Sequence, residues 1–257
     1  MAKVSRKLGA VMQVLTTGQG RRIAYAQTNG IGPGVVFLGG FRSDMTGTKA
    51  LFLQDWAQAR GRAFVRFDYS GHGQSGGRFE DGAIGDWVQD AQAVLALTDG
   101  PQLLVGSSMG SWIGLLIARA MPDKVAGLVT IAAAPDFTQD SMWDRFDAGQ
   151  RTELIQNGVI YLPSEYGDPY PITRRLIDDG RGQLVLRSPL VLPMPVRMLQ
   201  GTADQDVDPS VARHLLDHAT GPDIRLTLVK GADHRFSTPD CLKLISATVD
   251  EVIPRAG

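Results

Sequence analysis

The sequence predicts an α/β fold: a mostly parallel central sheet with helices on both of its faces. Three observations predict it. Short runs rich in Val, Ile, Leu and Phe recur along the chain, segments of helical period lie between them, and several runs are apolar at consecutive positions, as strands covered on both faces require. At roughly 150 residues per domain, 257 residues suit a single domain, 1–257, carrying an insertion.

Arg21–Thr28 reads as an early strand, and Val35-Val36-Phe37-Leu38 as a buried strand that stops at Gly39-Gly40. Thr48–Arg60 follows as a helix carrying Leu51, Phe52 and Trp56, then Ala63–Phe67 as a strand. Beyond a glycine-rich loop, Ile84, Trp87, Val88, Ala91, Val94 and Leu95 keep the i, i+3, i+4, i+7 spacing of an amphipathic helix. Gln102–Val105 is a strand running straight into Gly106. The helix after it, Trp112–Met121, is apolar nearly all round, which places it centrally. Pro122 ends that helix, and Val125–Ile131 is a strand with little polar alternation. The alternation lapses from about 136 to 194, where Pro, Gly, Tyr and charge accumulate around helix-compatible pieces at Trp143–Asn157 and Ile172–Leu186. No independent core is visible in this stretch, so it reads as an insertion that acts as a lid or binding wall. Val196–Gln200, Val211–His218, Ile224–Val229 and Leu242–Ile253 then restore strand, helix, strand and closing helix.

Composition narrows the function. The chain carries 26 Lys+Arg against 27 Asp+Glu, a formal net charge of −1 that offers nothing to a nucleic-acid backbone. One cysteine, Cys241, excludes an intrachain disulfide framework and a cysteine-cluster metal site. No apolar run approaches the 18 or more residues of a membrane span, and Met1–Leu15 has basic residues but only a short apolar stretch, broken at Gln13, which makes it a poor secretory signal and leaves a weak amphipathic targeting role open. The expectation is a soluble protein of a reducing compartment, the cytoplasm or an organellar matrix, with no membrane insertion and a small-molecule or acylated substrate as its partner.

Gly-x-Ser-x-Gly occurs twice, at Gly106-Ser107-Ser108-Met109-Gly110 and Gly73-Gln74-Ser75-Gly76-Gly77. In a chain with 30 Gly the pattern alone is weak, and context separates the two. A nucleophile elbow needs a strand, a sharp turn and an immediate helix, with glycines so that the flanking backbones can pack around a strained serine. Ser108 has that setting. Ser75 lies several residues past its strand, opens no helix at once, and reads as a turn serine. A serine hydroxyl attacks only when a neighbouring base takes its proton. Of four histidines, His214 and His218 lie at i, i+4 on one helix without the carboxylate of a His-Glu-x-x-His site and read as surface residues. His72, in a glycine-rich loop after a strand, reads as structural or site-lining. His234 follows the strand Ile224–Val229, at the carboxyl end of a late strand, where an open α/β sheet presents its chemistry. It is the expected general base. The orienting acid belongs at the end of the preceding strand, where Gln200–Asp208 offers three carboxylates. Asp204 comes first at the sheet edge, Asp206 competes with it, and Asp208 before Pro209 reads as a helix cap. The order Ser…Asp…His is the one expected for an α/β-hydrolase. The oxyanion is expected to meet the backbone N–H of Met109, at a helix N-terminus, and that of Phe41, in the loop after the Val35–Leu38 strand.

These segments resemble the serine α/β-hydrolase superfamily over essentially the whole chain: the strand-end Gly-Gly-Phe, Asp-Tyr-Ser-Gly-His-Gly-Gln-Ser, Gly-Ser-Ser-Met-Gly, Gly-Thr-Ala-Asp-Gln-Asp-Val and Gly-Ala-Asp-His recur there in this order. More narrowly, Phe41–Ala50, Tyr161-Leu162-Pro163-Ser164 and Ala232-Asp233-His234-Arg235 look like the mitochondrial hydrolases that remove S-palmitoyl groups and cleave acyl glucuronides, with their bacterial relatives. One departure is Gly39-Gly40, where many members carry His-Gly. The resemblance implies an α/β-hydrolase fold, a triad of Ser108, Asp204 and His234, no cofactor and no metal, and cleavage of carboxylic esters or thioesters through an acyl-enzyme. A C–C bond hydrolase, an acyltransferase or a non-catalytic small-ligand receptor would use the same fold. In the insertion, Trp143, Phe146, Tyr161, Leu162 and Tyr166 are candidates for an acyl-pocket wall. Arg174 and Arg175 are candidates for meeting an anionic leaving group, set against the plainer reading of solvated helix-face arginines.

Overall fold

The computed structural model describes residues 11–164 and 167–253. The first half runs β1 (Met12–Thr16), β2 (Arg22–Thr28), β3 (Ile31–Leu38), α1 (Thr48–Ala59), β4 (Arg62–Phe67), α2 (Ile84–Leu95), β5 (Gln102–Ser107), α3 (Met109–Ala120) and β6 (Val125–Ile131). After it come α4 (Ala148–Asn157), β7 (Val159–Ser164), β8 (Gly167–Thr173), α5 (Arg174–Arg181), β9 (Leu190–Val191), β10 (Val196–Gly201), α6 (Pro209–His218), β11 (Ala219–Thr220), β12 (Ile224–Val229) and α7 (Pro239–Val252).

Eight strands form one sheet in the order β1-β2-β4-β3-β5-β6-β10-β12. The pairs from β4 to β12 are parallel, and β1 and β2 join antiparallel at the other edge. Consecutive strand residues serve opposite faces, which is why the central strands are apolar throughout. In β3, Val36 and Leu38 pack toward α2 and α3, while Val35 and Phe37 pack toward α1 and α7. Trp112, Ile113, Leu115 and Leu116 of α3 are all buried, as the all-round apolarity predicts. At about 1.5–3 kcal/mol per large apolar side chain buried, this helix is a main contributor to the core. In β12, at the edge of the sheet, Arg225, Thr227 and Leu228 are exposed and the other three residues are half-buried.

The register brings the ends of the strands level. Leu38 lies opposite Gly106, Ser107 opposite Ile131, and Gly201 opposite Val229. The loops after β3, β5, β10 and β12 therefore leave the sheet along one carboxyl edge.

Three features differ from the sequence expectation. β1 extends the sheet at the end of Met1–Leu15, where the sequence predicts no strand; residues 1–10 lie outside the described part. The 143–157 piece is a short 3₁₀ turn at Trp143–Arg145 followed by α4. The antiparallel hairpin β7–β8 is absent from the sequence expectation, because Pro163, Pro169 and Pro171 interrupt the strand pattern; such prolines are tolerated in a two-stranded ribbon, where each strand is an edge. Between β6 and β10, Leu154, Ile160, Ile172, Leu176 and Ile177 join the α2–α3 core rather than forming their own. Asp136, buried and at φ 56°, closes the base of this segment by accepting the Val185 and Leu186 N–H groups at 2.8 and 3.0 Å.

Candidate active site

β5 delivers Ser108 at its carboxyl end with φ 53° and ψ −117°. A non-glycine residue pays of order 1–3 kcal/mol for such a backbone, so the surroundings must impose it. They do. Ser108 N–H donates to Ile131 O at 2.9 Å, Ser111 N–H donates to Ser108 O at 2.9 Å, and the buried Ser111 Oγ donates to Gly106 O at 2.8 Å. A Cβ at residue 110 would collide with Leu38 O, so only glycine lets α3 begin this close to β3.

His234 stands beyond β12 with Nε2 3.1 Å from Ser108 Oγ and Nδ1 2.9 Å from Asp204 Oδ2. A deprotonated carboxylate only accepts, so Nδ1 carries the hydrogen and Nε2 is left to accept the serine O–H. Asp204 has no exposed side-chain surface. Its Oδ2 also accepts from Gln200 Nε2 at 2.9 Å, and its Oδ1 accepts the N–H groups of Asp206 and Val207 at 3.0 and 2.9 Å. Burial pushes its pKa upward, but the hydrogen bonds from His234, Val207 and Gln200 outweigh it, and the pKa lies below the ordinary carboxylate value. Asp206, the competing acid, is exposed and lines the cleft, while Asp208 caps α6 by accepting Ser210 N–H at 2.7 Å. The loops after β10 and β12 are laced together: Ala203 N–H donates to Ala232 O at 3.0 Å, and a Cβ at Gly201 would collide with that carbonyl.

The loop after β3 lies against the elbow: a Cβ at Gly40 would sit 3.6 Å from Ser108 Cβ. Within that loop Ser43 N–H donates to Gly40 O at 3.2 Å and Arg42 N–H to His72 Nε2 at 3.2 Å. Among the described residues Phe41 N–H has no such acceptor. Met109 is the first residue of α3, so its N–H has no intrahelical partner. A cleft of about 680 Å³ opens over Ser108 and His234, walled by Phe41, Arg42, Lys49, Pro163 and Tyr170 among others. That volume suits a drug-sized ligand. Lys49 Nζ donates to Arg235 O; burial lowers its pKa to about 8 against the opposing pull of Asp233.

Other residues singled out from the sequence fall elsewhere. Ser75 Oγ donates to Asp68 O at 2.6 Å and accepts Ala24 N–H at 2.8 Å, the work of a turn serine. His218 Nε2 donates to Ser188 O at 2.8 Å. Arg175 pairs with Asp86 of α2 at 2.6 Å and so ties α5 to α2, whereas Arg174 pairs with Asp178 of α5 itself at 3.2 Å. Trp143 lies under Arg151 and Arg181, Phe146 is in the core, Tyr161 is 62% exposed, and Tyr166 lies outside the described residues. Within the segment between β6 and β10, Pro163 and Tyr170 line the cleft instead. Sequence reasoning missed Tyr170, Ser111 and Gln200; Gln200 is a polar residue ending an apolar strand, and that was the available signal. Among the described residues, Asp204, Asp206 and His234 bring ligand-type atoms within 4.8 Å of one another. Within this group, Asp204 Oδ2 and His234 Nδ1 are hydrogen-bonded to each other at 2.9 Å.

The sheet order, the elbow and the loop arrangement define an α/β-hydrolase. A family described as serine aminopeptidase, S33 (Hydrolase_4), matches residues 34–159. The mitochondrial palmitoyl-protein thioesterase ABHD10 of Homo sapiens is 34% identical over 236 residues, 91% of this chain and 77% of that protein. A protein from Agrobacterium vitis S4 assigned as a hydrolase superposes with a TM-score of 0.92 at 40% identity, covering 95% of this chain and 99% of that one. The mouse α/β-hydrolase domain-containing protein 10 superposes with a TM-score of 0.87 at 32% identity, covering 95% and 98%. The chain belongs to the α/β-hydrolase family that contains ABHD10, and it is a hydrolytic enzyme. Among the described residues no helix is long and apolar enough to cross a membrane.

Proposed function

We propose that the protein cleaves carboxylic esters or thioesters with Ser108 as nucleophile, His234 as general base and Asp204 as the orienting acid. The observation that carries this reading is the unbroken hydrogen-bond path from Asp204 through His234 to Ser108, at 2.9 and 3.1 Å. Ser108 Oγ bonds to the acyl carbon while its proton passes to His234 Nε2, and the carbonyl electron pair moves onto oxygen. The N–H groups of Met109 and Phe41 stabilise that oxyanion. Its collapse expels the alkoxide or thiolate, which takes the proton from His234. Water then repeats the sequence on the acyl-enzyme, releasing the acid and restoring Ser108. Asp204 holds the imidazole tautomer throughout and stabilises the imidazolium.

The thioesterase name of the relatives favours an acylated substrate, its acyl chain lying in the cleft under the insertion, which serves as a lid. The single cysteine fits work in a reducing compartment, the cytoplasm or an organellar matrix. Turnover of p-nitrophenyl butyrate by purified protein tests the chemistry: Ser108→Ala lowers kcat by roughly 10⁴-fold or more. Turnover retained in that variant would reject Ser108 as the nucleophile.

A further inference from the structure

We propose that His72 is a positioning residue for acyl transfer: by accepting the Arg42 N–H on Nε2 it fixes the turn that presents the Phe41 N–H to the reacting carbonyl oxygen. The inference rests on the oxyanion role proposed above for Phe41. His72 is 4% exposed, and both ring nitrogens are engaged, Nδ1 with Ser70 O at 3.1 Å and Nε2 with Arg42 N at 3.2 Å. A carbonyl only accepts and a backbone N–H only donates. Nδ1 must therefore carry the hydrogen, and Nε2 must be the acceptor. The ring cannot turn away from this task, because Tyr69, Phe79 and Trp87 stand edge-on around it at centroid distances of 5.7, 5.2 and 5.0 Å.

The residue on the other end of this bond is unusual. Arg42 has φ 56°, a conformation that a non-glycine residue holds only when its surroundings impose it. Its N–H belongs to the Phe41–Arg42 peptide, one unit after the peptide that carries the Phe41 N–H, so holding it restricts Phe41 φ and ψ, the torsions that link the two. On its other side the Phe41 ring is gripped by Phe79, Phe137 and Tyr170 at 5.0, 5.5 and 6.2 Å. Rings fix where Phe41 sits; the His72 acceptor fixes how its backbone is turned. An apolar ring of equal size at residue 72 would keep the packing and lose the orientation.

Three variants separate these roles. In His72→Gln the side-chain Oε1 can reach the position of Nε2 and accept from Arg42. In His72→Asn the shorter amide replaces Nδ1 and reaches Ser70 alone. His72→Leu keeps volume and supplies no acceptor. With p-nitrophenyl butyrate, the Asn and Leu variants lose kcat by roughly 10- to 100-fold, less than the loss of an entire oxyanion donor. Their KM stays within about twofold, and Gln recovers most of kcat. The inference is overturned if Gln is no better than Asn, or if the losses fall in KM or in thermal stability while kcat holds. Should the Leu variant fail to fold, the Gln-against-Asn comparison decides alone. Ser108→Ala, assayed alongside, keeps the two levels apart: activity surviving in it removes the acyl-transfer reading and this inference with it, whereas a silent Ser108→Ala with equal Gln and Asn variants removes only the role of His72.

Discussion

At Asp204 four hydrogen-bond donors converge on two carboxylate oxygens, with no solvent-exposed surface. Replacement by Asn keeps the shape and one acceptor but turns an N–H₂ toward either His234 Nδ1 or the backbone donors. The imidazole then finds its better arrangement with the hydrogen on Nε2, where it cannot accept the Ser108 proton. Asp204→Asn therefore lowers kcat for ester hydrolysis by about 10³- to 10⁴-fold with little change in KM, measured by steady-state kinetics at neutral pH. Asp206→Asn, on an exposed side chain outside this hydrogen-bonded path, changes kcat by less than about fivefold. Lys49 makes a different residue-scale prediction. Its pKa is lowered by burial to about 8, against about 10.4 in an unfolded chain. Between those values the unfolded state holds the proton that the folded state has released, so this group's contribution to stability rises with pH. Denaturant unfolding of wild type and Lys49→Met should show the difference moving in favour of wild type from pH 8 to pH 10; a flat or opposite trend would contradict the burial argument.

At the scale of elements, the elbow depends on β3, β5 and α3 approaching more closely than side chains allow. A Cβ at residue 110 meets the carbonyls of Leu38 and Gly39, which are backbone and cannot rotate aside. Gly110→Ala destabilises the fold by about 3 kcal/mol, at the upper end of overpacking costs, and lowers kcat as well; thermal and denaturant unfolding with a parallel ester assay measure both. A stable, fully active Gly110→Ala protein would mean that the elbow is looser than described. This same local geometry made Ser108 legible in the sequence: a strand, one turn and a buried helix leave few places for a serine to point, and Ser75 lacked that setting. The central strands were legible because burial on both faces leaves an unbroken apolar run. The β7–β8 hairpin was not, since three prolines in its strands argue against strand structure unless the ribbon stands outside the main sheet. Nor were the supports of the site. Gln200 was hidden because an amide at a strand end has many uses. The link from His72 to Arg42 spans 30 residues and depends on how two loops fold back, which periodicity does not encode.

Across the whole molecule, function follows from strand register. Loops after β3, β5, β10 and β12 leave one edge of the sheet at the same level, so Ser108 and His234, 126 residues apart in the chain, come within hydrogen-bond range of each other, Asp204 comes within range of His234, and the loop that carries Phe41 lies beside Ser108. The segment between β6 and β10 packs on the α2–α3 side and reaches over this edge to wall the cleft with Pro163 and Tyr170. The central claim is that this shared edge activates one serine out of all those in the chain. Reaction of the intact protein with a fluorophosphonate, followed by peptide mass spectrometry, tests it most directly. The account predicts a single adduct on Ser108 that forms rapidly in wild type and is nearly abolished in His234→Ala. An adduct on Ser75 or another serine, or labelling of Ser108 that is indifferent to His234, would contradict it.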